Sequence, residues 1–392
     1  MGHNISRIQV IDALRGFAIV SIMLLHNMEH FDYYFIPADL PAWMTTLDKA
    51  VWDSFFFLFA GKSYAIFALL FGLTYYIQAK NQESAGRDFR LRFGWRMILL
   101  LGFGLINSAF YQGDILSIYA IIGLFLIPVS AMSNRTLAII AGVAMLQPAE
   151  WLHFFMSLNH PVVKLSDPVS WSYFGKMGEY IPGPSFINTV KGNLTNGKTG
   201  VLLWNWENGR VFQIYSLFLL GILAGRLSLF IRTEESQKFW YKSLMISGFL
   251  FIPLFFIKTM LPQWIDYESI SRPLITIVSS WTNFSFMLVL VSGFVLLFRM
   301  ERFNQMLQVF SPLGRMSLTN YIMQSIIGSF IYYGFGLGLY KYTGATHSLI
   351  IGLGLVILQI YFSKWWFSKY KLGPLESIWH RLTWLRSQNY GR

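Results

Sequence analysis

The first apolar stretch of the chain carries ionisable residues inside a segment long enough to cross a membrane. It opens with Ile11-Asp12-Ala13-Leu14-Arg15-Gly16-Phe17 and closes with His26-Asn27-Met28-Glu29-His30. Read as one α-helix at about 100° per residue, its ionisable side chains share a stripe roughly 100° wide. Charge within a membrane helix costs several kcal/mol unless it is paired or hydrated, so this stripe indicates an active path.

Composition places the whole chain in the membrane class. Of its 392 residues, 54% are hydrophobic and only 13% are charged, against about 25% charged residues in soluble domains. We therefore predict an all-α polytopic membrane protein. The chain has no cysteine, which excludes thiol catalysis, disulfides and cysteine-ligated metals.

About ten transmembrane helices are expected, each near the ~20 residues that span a bilayer. The apolar spans are 9–29, 61–79, 93–111, 115–131, 136–156, 210–230, 243–262, 273–298, 316–336 and 347–367. Loops on the N-terminal side hold roughly twice as many Lys and Arg residues as loops on the other side, which predicts that both termini are cytoplasmic. We expect the bacterial cytoplasmic membrane. The net charge of +12 then reflects topology, and a nucleic-acid partner is not expected.

A single membrane domain covers residues 1–392 in this interpretation. Residues 1–156 form N-terminal helices with the candidate site, and residues 210–392 form the C-terminal helices. Between them, the aromatic-rich segment 157–209 is long for a connection. It either caps a site or binds an acceptor on the extracytoplasmic side, or it rests on the lipid interface. Residues 40–60 are expected to form an interfacial or re-entrant helix.

His26 is the leading candidate for a catalytic residue. It lies about 16 Å along the helix from Arg15, towards the extracytoplasmic side. A neutral imidazole can take a proton from a hydroxyl or amine nucleophile; the alternative is an interior histidine with a structural partner. Asp12 and Arg15, three residues apart, are expected to form an ion pair at the membrane edge, with Asp12 orienting Arg15.

The order H-x-x-E-H from His26 to His30 also matches inverted zinc peptidases. Histidines at i and i+4 could share a zinc ion, although a metal is not our expectation, because the motif lies at a helix end. A third zinc ligand would have to come from His153, His160, Asp32 or Glu150.

Further candidates lie near the predicted membrane boundaries. Lys62 or Asn27 could stabilise an oxyanion, and His30 is a further catalytic candidate. Glu29, Tyr64 and Asp114 could contact an acceptor, although Asp114 is first a helix N-cap. Lys62 could equally be a snorkelling lysine. Arg92 and Arg96 could hold donor phosphates together with Arg15.

Several motifs carry a family resemblance. They are Ile11-Asp12-Ala13-Leu14-Arg15-Gly16-Phe17-Ala18-Ile19, residues 61–72, residues 113–116, Gly314-Arg315-Met316-Ser317-Leu318-Thr319-Asn320-Tyr321 with Gln324-Ser325, and Gly373-Pro374-Leu375-Glu376. Together they resemble the YeiB-like bacterial membrane proteins (domain of unknown function 418). That family is similar to transmembrane acyltransferases such as heparan-alpha-glucosaminide N-acetyltransferase and the bacterial surface-sugar acetylases.

The resemblance implies transfer of an acyl group from cytoplasmic acyl-CoA to an acceptor across the membrane. Surface-sugar acetylases carry an arginine, ten residues and a catalytic histidine, a spacing that Arg15 and His26 reproduce. YeiB-like proteins usually have Asn where this chain has His26. The catalytic histidine of the glucosaminide enzyme would fall at Pro37.

We therefore expect an acyltransferase with acetyl-CoA as co-substrate and no tightly bound cofactor. Its expected partners are the lipid bilayer and a small-molecule, sugar or lipid acceptor, and a homodimer remains open. The alternatives are a transporter or lipid-handling protein without covalent chemistry and, less favoured, a zinc peptidase.

Overall fold

The computed structural model describes residues 8–38 and 40–384, and within them every regular element is helical. The helices are α1 Gln9–Met28, α2 Ala42–Phe59, α3 Ser63–Ser84, α4 Arg90–Phe110, α5 Leu116–Leu124, α6 Leu126–Val129, α7 Asn134–Met145, α8 Pro148–Asn159, α9 Val169–Gly175, α10 Phe186–Gly192, α11 Lys198–Glu207, α12 Arg210–Arg226, α13 Glu234–Trp264, α14 Glu268–Arg299, α15 Glu301–Leu307, α16 Ser311–Arg315, α17 Ser317–Tyr332, α18 Ala345–Lys369 and α19 Pro374–Trp384. Short 3-10 or π turns lie at Lys176–Glu179, Asn193–Gly197, Gln308–Phe310 and Leu339–Lys341.

Six helical stretches in the described residues are long and apolar enough to cross a membrane, or seven if the bent pair α7–α8 is one span. The chain is therefore an all-helical protein of the membrane type. Each of the ten predicted spans meets a helix or a helix pair. Because α5, α12 and α17 have only 9, 17 and 16 residues, the number ten and the orientation of the termini stay predictions.

Helix α1 lies at the centre of the bundle. It contacts α2, α3, α14, α16, α17 and α18, and nearly all of its residues are buried. Its contact with α16 is backbone to backbone: a Cβ on Gly314 would lie 1.9 Å from the Asp12 carbonyl oxygen. A Cβ on Gly16 would lie 2.0 Å from the Phe310 carbonyl oxygen. This close packing holds the Asp12–Arg15 turn inside the protein.

Helices α3 and α12 use the same packing device. A Cβ on Gly72 would lie 1.9 Å from the Phe218 carbonyl oxygen, and a Cβ on Gly221 would lie 2.1 Å from the Leu69 carbonyl oxygen. Gly221 and Gly225 form a small-xxx-small pattern, which is typical of close helix packing, and Gly221 lies at this contact. Helices α1, α3 and α12 thus form the rigid frame around the candidate site.

The chain leaves α1 through a turn with unusual backbone angles. Helix α1 ends at Met28, and His30, Phe31 and Asp32 have φ values of 47°, 54° and 68°. Left-handed backbone costs a non-glycine residue about 1–2 kcal/mol. The expectation that one helical stripe continues to His30 is therefore wrong, because this turn directs His30 and Asp32 away from helical positions.

Segment 157–209 folds into short helices that cover one end of the bundle. Helices α9 and α11 pack against each other, and α11 is tied to the core by Lys198, whose Nζ lies 3.3 Å from Oδ2 of the fully buried Asp114. Trp171, Phe174 and Trp204 of this segment line a cavity of about 760 Å³. The segment therefore forms the roof of that cavity, as one of the two sequence interpretations anticipates.

Candidate functional site

A cavity of about 760 Å³ lies where α1 ends, α3 begins and the roof segment closes over them. We call it the His26 cavity. Its polar lining includes His26, Glu29, Asp32, Tyr111 and Arg210, and aromatic rings form much of the remaining wall. Hydrogen-bonding groups concentrated in a largely apolar cavity are typical of a small-molecule site.

Four side chains in this cavity form one hydrogen-bond network with His26. His26 Nδ1 lies 3.1 Å from Glu29 Oε2 and 3.0 Å from the Tyr111 hydroxyl. The Tyr111 hydroxyl also donates to Asp32 Oδ1 at 3.1 Å, and the Tyr34 hydroxyl donates to Glu29 Oε1 at 2.9 Å. An imidazole held by acceptors at one nitrogen is arranged to accept a proton at the other.

Burial and the neighbouring Glu29 carboxylate raise the pKa of Asp32 from 3.8 to about 6. His26 and, further away, Arg210 oppose this shift by favouring the charged carboxylate. Two carboxylates close together in a partly enclosed cavity cannot both ionise without an energetic cost. The site therefore favours a proton or another positive charge near Asp32.

His26, Glu29 and Asp32 could also hold a divalent metal ion. One ligand atom from each lies within 4.8 Å of the other two. His30 takes no part: its Nε2 lies 3.0 Å from Ser348 Oγ and 3.1 Å from Thr343 Oγ1. The idea of two i,i+4 histidines sharing zinc is therefore wrong, because the left-handed turn separates their side chains.

His30 is a buried structural histidine in this fold. Burial lowers its pKa to about 4, so its imidazole is neutral at physiological pH. The other histidines considered as zinc ligands are also elsewhere. His153 lies on α8 with its Nδ1 3.7 Å from Glu150, and neither His153 nor His160 lines the His26 cavity.

Two predicted oxyanion donors lie outside the cavity. The Asn27 amide donates to the Met23 carbonyl oxygen at 2.8 Å and accepts from Tyr332 at 3.1 Å. Lys62 donates to the Phe57 carbonyl oxygen at 2.8 Å. Neither residue lines the His26 cavity, so the structure does not bring them to His26.

Of the predicted acceptor-binding residues Tyr64 and Asp114, the structure places only Tyr64 in the His26 cavity. Tyr64 lines the cavity, where its hydroxyl donates to Gln213 and its ring lies 4.3 Å from the Arg210 guanidinium. Asp114 does not line it. Its carboxylate accepts from the Leu116 and Ser117 backbone N–H groups at 3.3 and 2.9 Å. It therefore caps the first turn of α5 from one residue before the N-cap position, which is Ile115, and its charge is balanced by Lys198.

A second cavity of about 290 Å³ lies nearer the beginning of α1. We call it the Arg15 cavity. Arg15, Arg96, Arg315 and His380 line it together with the carboxylate residue Glu376, and most of the other lining residues are apolar. Arg15 contacts Asp12 at 3.5 Å, as predicted, and donates to Thr74 Oγ1 at 2.8 Å.

Helix α19 covers one side of the Arg15 cavity. It is held there by Arg92 and Arg96, the two arginines predicted to bind donor phosphates. Arg96 lies 4.1 Å from the Trp379 ring and donates to Thr383 Oγ1 at 3.3 Å. Arg92 donates to the Thr383 carbonyl oxygen at 2.7 Å and does not line the cavity. The structure therefore brings Arg96 to Arg15 and leaves Arg92 as an anchor for α19.

At most about one helical turn separates the two cavities along α3, α5 and α17. Ile115, Tyr64 and Tyr321 line the His26 cavity. Leu116, Phe67 and Leu318, which lie one to three residues away from them along the chain, line the Arg15 cavity. Hydrogen bonds close the wall between the cavities. Tyr119 donates to the Tyr64 carbonyl oxygen at 2.6 Å, and the Ile115 N–H donates to the Tyr321 hydroxyl at 3.2 Å.

Sequence reasoning misses the roles of several lining residues. Asp32 stands out in the sequence only as a possible zinc ligand, because helical periodicity turns position 32 away from His26. Tyr111 and Arg210 come from distant segments and carry no motif. Arg315 is visible within Gly314-Arg315-Met316-Ser317, but nothing in the sequence connects it to Arg15.

Comparison with known proteins matches residues 224–386 to the family described as "Protein of unknown function (DUF418)". The chain is 27% identical to the uncharacterized protein YxaH of Bacillus subtilis (strain 168), covering 97% of this chain and 95% of that protein. It is 24% identical to the uncharacterized protein YeiB of Escherichia coli (strain K12), covering 95% of each. No solved structure matches. These matches confirm the YeiB-like resemblance.

Proposed function

We propose that this YeiB-like protein of the DUF418 family is a membrane acyltransferase, moving an acyl group from cytoplasmic acyl-CoA to an extracytoplasmic hydroxyl or amine. The observation that carries the proposal is the arrangement of the two cavities, which lie within about one turn of each other on α3, α5 and α17 and are both lined by α1. One offers cations for an anionic donor, and the other offers a histidine with carboxylate partners. A reaction across the membrane requires both.

The Arg15 cavity would receive the donor. Arg15, Arg96 and Arg315 line its cationic part, and guanidinium groups bind phosphate oxygens well. Phe67, Phe71 and Leu116 line its apolar part, which suits the pantetheine arm and a short acyl group such as acetyl. With a cytoplasmic N-terminus, this cavity would open to the cytoplasm.

The transfer step would take place beside His26. The acceptor's proton moves to His26 Nε2 as the acceptor's oxygen or nitrogen attacks the thioester carbonyl carbon. The carbonyl re-forms as the carbon–sulfur bond breaks, and the departing thiolate takes the proton from the imidazolium, which restores neutral His26. The wall of Tyr64, Tyr119 and Tyr321 would have to open for the thioester to reach this cavity.

Acetyl-CoA binding tests the donor half of the proposal. Isothermal titration of the purified protein should detect binding, and Arg96→Gln should weaken it roughly tenfold. Arg135→Gln on the exposed part of α7 is the matched control and should bind like the wild type. Absence of binding to the wild type, or equal weakening by both variants, would contradict the assignment.

A transporter is the second candidate, favoured by the same closed wall between two cavities. Opening that wall alternately towards each side would move a solute without covalent chemistry. Proteoliposome assays separate the two functions: a transporter moves solute without consuming acetyl-CoA, whereas an acyltransferase releases the CoA thiol in proportion to product.

A further inference from the structure

The left-handed turn after α1 brings Asp32 to a residue that also contacts His26. The Tyr111 hydroxyl lies 3.1 Å from Asp32 Oδ1, 3.0 Å from His26 Nδ1 and 3.4 Å from His26 Nε2. A hydroxyl has one hydrogen to donate and two lone pairs that accept. Because Tyr111 donates its hydrogen to Asp32, it has none to give to Nε2 of His26; towards the imidazole its oxygen can only accept, and the nearer ring nitrogen is Nδ1. The three residues form one directed chain of hydrogen bonds.

We propose that Asp32 is a positioning residue that acts through the Tyr111 hydroxyl to keep His26 protonated at Nδ1 and free at Nε2. This inference rests on the proposed function, in which Nε2 accepts the acceptor's proton. Glu29 Oε2 lies 3.1 Å from the same Nδ1 and shares its hydrogen. Two acceptors at one ring nitrogen select one tautomer of a neutral imidazole.

The network also compensates the charge that develops during transfer. When the acceptor's proton reaches Nε2, His26 becomes an imidazolium beside the carboxylate of Glu29 and the Asp32–Tyr111 pair. The negative groups are already in place, so little reorganisation is needed as the charge appears. When the departing thiolate takes the proton from Nε2, the original arrangement returns.

Neighbouring residues fix the turn that carries Asp32. The Phe31 ring fills a notch at Gly328, where a Cβ would lie 1.9 Å from the ring. The Tyr333 hydroxyl donates to the Phe31 carbonyl oxygen at 2.7 Å. A strained backbone persists only where its surroundings over-determine it, and these contacts do so.

Gly113 provides the space for Tyr111 and Asp32 to meet. A Cβ at position 113 would lie 2.2 Å from the Tyr111 hydroxyl oxygen and 2.6 Å from Asp32 Oδ2. These two atoms belong to the side chains that form the Tyr111–Asp32 hydrogen bond. Gly113 therefore leaves room for the hydrogen-bond network, and the neighbouring Asp114 caps the first turn of α5.

A double-mutant cycle tests the chain of hydrogen bonds. Tyr111→Phe and Asp32→Asn should each lower kcat for acyl transfer roughly tenfold to a hundredfold, with KM little changed. The double variant should be no slower than the slower single variant, because both changes break the same connection. Tyr332→Phe is the matched control: it removes a buried hydroxyl that donates to Asn27 at 3.1 Å and should leave kcat unchanged.

A second measurement does not depend on turnover. Nitrogen-15 NMR of histidine-labelled protein, with the His26 signal assigned from His26→Gln, reports which ring nitrogen carries the hydrogen. The wild type should show the Nδ1–H tautomer and Tyr332→Phe should keep it. The Asp32→Ala/Glu29→Gln double variant leaves the Tyr111 hydroxyl hydrogen without its acceptor on Asp32, and should lose this preference.

The two measurements separate this inference from the proposed function. If no acyl transfer is found but the NMR results are as expected, the positioning role stands and the acyltransferase proposal falls. The positioning role would be overturned if the kcat losses of Tyr111→Phe and Asp32→Asn multiplied in the double variant, because the two residues would then act independently. An Nε2–H tautomer in the wild type would also overturn it, as would a metal ion bound stoichiometrically by His26, Glu29 and Asp32.

Discussion

The carboxylate oxygen Oε2 of Glu29 lies 3.1 Å from Nδ1 of His26, one helical turn away along the chain. This contact is local, since α1 ends at Met28 and Glu29 follows at its C-cap. The other partners of His26 in the network come through the turn at residues 30–32 or from the end of α4. The His26–Glu29 pair is therefore the part of the site that depends most on local sequence and least on tertiary packing.

Glu29→Gln should lower the rate of acyl transfer roughly tenfold to a hundredfold, because an uncharged amide stabilises the imidazolium less than a carboxylate does. The protein should still fold, since glutamine can occupy the same space. Steady-state kinetics with acetyl-CoA would measure the effect. A Glu29→Gln variant with the wild-type rate would exclude Glu29 as a partner of the base.

Asp32→Asn should stabilise the folded protein near pH 7.5 by about 3 kcal/mol. The pKa of Asp32 is raised to about 6 in the folded protein, so the folded state holds a proton that the unfolded state releases. Stability therefore falls as the pH rises from about 4 to about 6, and the variant should lack this fall. Thermal unfolding in detergent at pH 4 and pH 7.5 measures it.

The control for that experiment is Asp53→Asn, an exposed carboxylate paired with Lys49 on α2. It should change stability little at either pH, because exposed ion pairs contribute only about 0–1 kcal/mol. A stabilisation by Asp32→Asn that is as large at pH 4 as at pH 7.5 would contradict the pKa argument.

Breaking the buried pair of Asp114 and Lys198 should destabilise the roof. Lys198→Met leaves the Asp114 carboxylate buried without its counter-charge, at a cost of about 3–5 kcal/mol. Asp114→Asn in the same chain should restore part of this loss. Proteolysis of the 157–209 segment would follow the effect, and a Lys198→Met roof as resistant as the wild type would show that the pair does not anchor it.

Glu376 should be important for the attachment of α19. Its carboxylate accepts from the Leu318 and Thr319 N–H groups at 2.8 and 3.1 Å and from the Thr319 hydroxyl at 2.6 Å. Glu376→Ala removes these bonds at the start of α17 and should cost about 2–3 kcal/mol. Exposed Glu301→Ala is the control. Equal thermal stability of both variants would refute this role.

The helical membrane class could be predicted from sequence, because repeated apolar spans of about 20 residues are rare outside membrane proteins. The pairing of Asp12 with Arg15 could also be predicted, since the two residues are three apart on one helix. Glu29 is predicted from the sequence to contact the acceptor, and its pairing with His26 is a finding of the structure. The position of the His30 side chain could not be predicted, because the prediction assumes that helix α1 continues through residue 30. Backbone angles in a three-residue turn are set by tertiary contacts such as Phe31 with Gly328, which no local pattern reveals.

The site residues contributed by distant segments could not be predicted for the same reason. Tyr111 reaches His26 only after α4 has packed beside α17, and Arg96 reaches the Arg15 cavity together with α19. Arg92 and Arg96 look equivalent in sequence, four residues apart at one helix end. The packing of α19 gives them different surroundings, because only Arg96 also lines the cavity.

The most direct test of the central claim is acyl transfer by His26→Gln. Membranes containing the wild type or the variant would be incubated with acetyl-CoA radiolabelled in the acetyl group, and released CoA thiol and labelled product would be measured. We predict transfer by the wild type above empty membranes and a loss of roughly a hundredfold or more in His26→Gln, with the variant folded and still binding acetyl-CoA. Equal transfer by the two proteins, or none by the wild type, would contradict the claim.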